Sequence, residues 1–160
     1  MAETWDDLYA RWVAARDELR HGDLQLAARD SQRAGNNPSA DDVAWLVAAL
    51  ADPDRRWFVS MVYRRQPVPK PLFVPMVRAG ATDCDASACR LFVEPCVETF
   101  GSEAVLAELA RYAAEGGDRA ALGYRKCSYW VRPVASFARG VRPKPKPTDA
   151  EPGAAADPAS

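Results

Sequence analysis

Apolar residues recur along most of this chain at intervals of three and four, and polar residues fill the positions between. In residues 3–20, Trp5, Leu8, Tyr9, Trp12, Val13, Arg16 and Leu19 fall on one stripe, which predicts a helix with a single buried face. Thr4 with Asp7 three residues on resembles a capping box, with Asp where Glu or Gln is usual, and His21-Gly22 offers a C-terminal stop. Residues 23–33 predict a second, shorter helix, closed by the turn-forming run Gly35-Asn36-Asn37-Pro38. Ser39 caps a helix over 42–51 that stops at Asp52-Pro53, and a further helix over 54–66 ends at the prolines Pro67, Pro69 and Pro71. Beyond them the pattern predicts helices over 71–79, over 86–100 with a kink near Pro95, over 102–115 and over 119–131. Pro75 is tolerated only in the first turn of its helix.

The fold class expected is therefore all-α. Residues 1–35 form an N-terminal helical cap, residues 39–140 form helix pairs, and residues 141–160 form a tail. The tail includes RPKPKPTDAEPGAAADPAS, with five prolines and no large side chain, so it buries too little apolar surface to offset the entropy of ordering and is expected to be disordered. Its alternating Pro143, Pro145 and Pro147 favour extended polyproline II geometry.

The turns inside the pairs each present an aspartate before the second helix: Asp54, Asp85 and Asp118, separated by 31 and 33 residues. A two-helix unit repeating near this period is the pattern of an α-solenoid, in which each pair buries its face against the next. The segments VAWLVAALADPDRRWFVSMV and FGSEAVLAELARYAAEGGDRAALGYRKCSYWV carry a resemblance to HEAT-like repeats, the second being similar to the terminal repeats of bacterial HEAT-repeat proteins. That resemblance implies a short α-solenoid of about three HEAT-like helix pairs over residues 39–131. It further implies a curved scaffold that binds proteins, less often nucleic acid, with no catalytic residues carried across.

Composition narrows the function further. Lys and Arg number 21 against 22 Asp and Glu, so there is no overall attraction for nucleic acid or an anionic membrane, and any electrostatic recognition must be local. No apolar run reaches the length of a membrane span, and residues 1–7 hold three acids and no base, the wrong layout for a signal peptide. A cytoplasmic protein with reduced thiols is expected. Abundant Ala and Arg with scarce Lys suit a GC-rich bacterial genome.

Catalytic chemistry has little to work with. His21 is the single histidine, so any Cys-His or Ser-His-Asp arrangement would depend on it; the sequence holds no nucleophile elbow, phosphate-cradling Gly-rich loop or H-E-x-x-H pairing, and no cofactor is expected. Cys84, Cys89, Cys96 and Cys127 lack the tight two-cysteine knuckle of structural zinc sites and are expected to be buried thiols, with no metal. Glu94 and Glu98, four apart, read as solvated helix charges.

The candidate binding surface consists of Arg55, Arg56, Trp57, Tyr63, Arg64, Arg65, Arg90, Arg125, Lys126 and Tyr129. If the helices after Asp54, Asp85 and Asp118 lie side by side, these residues form a basic, aromatic face. Such a face suits another protein, with Arg and aromatic anchors as hot spots, and alternatively a phosphate backbone.

Overall fold

The computed structural model describes residues 3–82, 85 and 87–137. Every described element is helical: α1 (Trp5–Asp17), α2 (His21–Gly35), α3 (Ala40–Ala51), α4 (Arg56–Val62), a 3-10 turn (Lys70–Leu72), α5 (Phe73–Thr82), α6 (Cys89–Phe100), α7 (Ser102–Glu115) and α8 (Gly117–Phe137). The all-α expectation holds for these residues. The tail from 141 lies outside them.

Two helix starts are set by local chemistry read directly from sequence. Thr4 Oγ1 accepts the Asp7 amide at 3.2 Å while Asp7 accepts the Thr4 amide at 3.0 Å, and Ser39 with Asp42 repeats the arrangement at 3.2 and 2.8 Å. The hydrogen bonds from the Thr4 and Ser39 side chains, more than any other cause, hold the Asp7 and Asp42 carboxyls below their ordinary value of 3.8. A carboxyl depressed on folding contributes stability that is present above its unfolded value and is lost as pH falls through the folded one. The melting temperature is therefore expected to fall as pH drops below about 4, and Asp42→Asn is expected to shrink that fall; equal pH profiles for variant and parent would refute the cap's contribution.

The junction of α1 and α2 departs from the expectation. His21 does not close α1 but opens α2 as an exposed first residue. The stop is at Leu19, whose φ of 54° is the left-handed region, and the amides of Glu18, Leu19 and Arg20 bond back to Ala14, Arg16 and Ala15. Leu19 is 78% exposed, so neither packing nor backbone geometry favours leucine here. Leu19→Gly is expected to raise stability by about 1 kcal/mol, seen as a higher urea midpoint at unchanged slope.

Other boundaries shift for steric reasons. Helix α4 is shorter than expected, ending at Val62, because the Arg64 amide tightens onto Met61 O ahead of Pro67. Pro75 sits in the first turn of α5, where its missing N–H removes no helical bond. Helix α6 passes through Pro95, where only the Leu91 carbonyl loses its helical donor. Helix α8 likewise runs to Phe137 past Pro133, at the expense of the Tyr129 carbonyl. Gly101, at φ 88°, separates α6 from α7 in a conformation disfavoured for side-chain-bearing residues.

The helices associate in consecutive pairs, α1 with α2, α3 with α4, α5 with α6 and α7 with α8. The first members also meet in order, α3 with α5 and α5 with α7, and so do the second members, α4 with α6 and α6 with α8, while α2 rests on α4. Among these helices and the 3-10 turn, Phe58, Leu72, Met76, Val77, Phe92, Val93 and Leu109 are fully buried. Helix α1 adds its stripe of Trp5, Leu8 and Trp12 to the same core.

Among the described residues, one charge is carried fully into this core. Glu108 on α7 is 0% exposed, paired to Arg78 of α5 at 3.1 Å and to Arg111 at 3.1 Å. The Arg111 contact is close but poorly aligned, an ion pair rather than a hydrogen bond. Arg78 also meets Glu115 at 3.0 Å and lies over the Tyr112 ring. Glu108 falls on the same stripe as Val105 and Leu109, and that spacing is what carries it inward.

Candidate binding groove

The pairing of second helices places one groove between α4, α6 and α8, with a volume of about 430 Å³. Trp57 and Trp130 border it, and its charged rim carries Arg64 and Arg90 together with Asp85, Glu94 and Glu98. Trp57 is seated against Phe92 with ring centroids 5.5 Å apart. Trp130 packs edge-on against Tyr129 at 5.2 Å, and Tyr129 is 67% exposed beside it. Trp57 on α4 and Arg64 just past its end are separated by close to two helical turns, which brings both to the groove, while adjacent positions on the helix turn away by about 100° each.

Charges along the rim are partly paired. Arg90 Nε donates to Glu94 at 2.6 Å, and its guanidinium carbon stands 5.3 Å from the Trp130 ring centre. Asp85 accepts from the Ser87 hydroxyl at 2.7 Å and the Ser87 amide at 2.8 Å, and the hydroxyl bond is the main cause holding its carboxyl below the ordinary value. Three carboxylates thus face two guanidiniums, so the groove is not the basic stripe that the arginine count suggested.

Of the residues expected on one face, Trp57, Arg64 and Arg90 line this groove, and Tyr129 stands beside its Trp130 wall. Arg65 lines an adjoining recess with Gln66 and Glu98. Arg125 is exposed on α8, and Lys126 lies close enough to Asp85 to help lower its carboxyl. The remaining three are elsewhere. Tyr63 is fully buried, donates its hydroxyl to Gly35 O at 3.2 Å and has its ionisation pushed up by burial, so it is a core residue. Arg55 sits over the Tyr9 and Trp45 rings at 5.3 and 5.5 Å and pairs with Asp6 at 3.2 Å, tying α1 to the α3–α4 turn. Arg56 is buried and lines a separate recess between α3 and α5.

Chemistry beyond binding has few placements. His21 is exposed. Cys89, Cys96 and Cys127 are buried, with the Cys96 thiol pushed up to about 12 by burial and the Cys127 thiol pushed up by its hydrogen bond with Cys89 and by burial. Thiols held protonated in this way are poor nucleophiles. Among the described residues no three His, Cys, Asp or Glu side chains converge on a metal position, and Cys84 lies outside those residues. Among them, too, no helix is long and apolar enough to cross a membrane.

No protein-family model, curated protein or solved structure matches this chain.

Proposed function

We propose that this protein acts by binding rather than by catalysis, as a scaffold or adaptor that takes a segment of another protein into the α4–α6–α8 groove. In this reading the three pairs from α3 to α8 form a short HEAT-like α-solenoid, and α1 with α2 cap its first pair. The observation that carries the proposal is the groove itself: two tryptophans with charges of both signs on one rim. Tryptophan and arginine are the residues that anchor protein interfaces. The carboxylates among the basic groups of the rim disfavour a phosphate backbone, which draws its affinity from uncompensated Lys and Arg. The buried thiols suit a reducing compartment, in keeping with a cytoplasmic site of action.

The test is a photo-crosslinking residue at Tyr129, beside the groove, compared with the same residue at Leu26 on α2, which is 55% exposed. Irradiation in a lysate of the source cells is expected to give a discrete nuclease-resistant protein adduct from position 129 and none from 26, reduced by Arg64→Glu. Adducts that vanish with nuclease, or that form equally at both positions, would overturn the reading.

A further inference from the structure

The recess between α3, the start of α4 and α5 has a volume of about 240 Å³. Val47, Leu50 and Ala51 of α3 and Pro75 and Ala79 of α5 supply apolar walls, and Arg56 and Arg78 supply the charge. The two arginines differ in what they already hold. Arg78 is engaged by Glu108 and Glu115. Arg56, only 9% exposed, has no carboxylate within 4 Å among the described residues, and its one hydrogen bond among them is a long contact of 3.5 Å from Nε to the Asp52 carbonyl. The nearby Asp52 carboxylate is turned instead to Arg55 at 3.7 Å and to the Asp54 amide at 2.8 Å.

No carboxylate among the described residues compensates the Arg56 charge, and its terminal nitrogens, which are not sealed from water, are open to a counter-charge entering the recess. The planar fork of arginine matches two oxygens of one carboxylate, and the apolar walls beside it favour a ligand that brings apolar surface with its charge. We propose that this recess is a binding site for a carboxylate on a short branched apolar stem, with Arg56 as its anchor and Val47, Leu50 and Ala79 around the stem. Such a group is offered by a free small acid or by the C-terminus of a peptide ending in leucine. The site is separate from the α4–α6–α8 groove and does not depend on the function proposed for it.

The full chain, labelled with ¹⁵N, is titrated with N-acetyl-leucine and, separately, with N-acetyl-leucinamide, which keeps the stem and removes the charge. Saturable shifts confined to α3, α4 and α5 with the acid alone are expected, and Arg56→Gln is expected to weaken binding by about ten-fold or more, as loss of a charge-assisted pair implies. Val47→Glu, at a partly exposed wall position, places a tethered carboxylate in the recess and is expected to block the acid while leaving the fold intact. It decides the matter even if Arg56→Gln does not fold. Equal binding of acid and amide, no binding of either, or undiminished binding in Val47→Glu would overturn the proposal. A leucine-ended hexapeptide that binds more tightly than the acid assigns the site to a protein C-terminus; equal or weaker binding assigns it to a free acid.

Discussion

Replacing Phe58 with alanine is expected to lower the unfolding free energy by about 3–5 kcal/mol, the range for truncating a fully buried aromatic. Phe58 is 0% exposed and stands at the centre of four rings: Trp5 at 6.2 Å, Tyr9 at 5.6 Å, Trp12 at 5.7 Å and Trp45 at 6.1 Å. Those rings come from α1 and α3, so its loss empties the joint between the first two helix pairs. The joint is reinforced at its rim, where Trp5 Nε1 donates to Asp42 at 2.7 Å and Trp45 Nε1 to Asp6 at 3.2 Å. Trp12→Ala is expected to cost a similar amount, about 3–5 kcal/mol. Because the two side chains share one cluster, the double variant should lose measurably less than the two separate losses combined. Urea unfolding followed by circular dichroism measures all three, and an unchanged midpoint for Trp12→Ala would show that α1 does not pack on the core.

Gly123→Ala is the second large effect expected, a loss of about 2–3 kcal/mol. A Cβ at Gly123 on α8 would stand 2.3 Å from the Ala81 carbonyl oxygen and 3.0 Å from its carbon. These are backbone atoms of α5, which no rotamer change relieves, so α5 and α8 must move apart. Helix propensity argues the other way, favouring alanine by about 1 kcal/mol, and here packing outweighs it. Gly22, on the exposed face of α2 with no atom within 4 Å of its Cβ position, is the control. Gly22→Ala is expected to be neutral or stabilising by up to about 1 kcal/mol. If both variants melt alike, the close approach of α5 and α8 is not a constraint. Since α8 carries Trp130, Gly123→Ala should also weaken crosslinking from position 129.

Local rules were enough for the presence of the helices and for the starts of α1 and α3. Trp5, Leu8 and Trp12 follow the spacing of one helical stripe and are buried residues of α1. Thr4 and Ser39 cap as their sequence contexts propose, because a capping box closes within four residues and depends on nothing distant. The reach of α8 past Pro133 was not legible, since a proline's effect turns on whether the carbonyl it strands meets water. Nor was the stop at Leu19, where the chain takes a left-handed turn without the glycine that usually marks one.

The binding face shows the limit most clearly. Sequence places Arg55, Arg56, Trp57, Tyr63 and Arg64 within ten residues, yet they part into an interhelix clamp, a buried recess, a groove wall and a core tyrosine. Periodicity determines which stripe of a helix turns inward, because hydrophobic burial acts through local geometry. Whether a given arginine is neutralised, buried or left facing a cavity depends on partners far along the chain: Asp6 for Arg55, Glu108 for Arg78, and no carboxylate among the described residues for Arg56. Those distances between helices are settled only when the pairs come together.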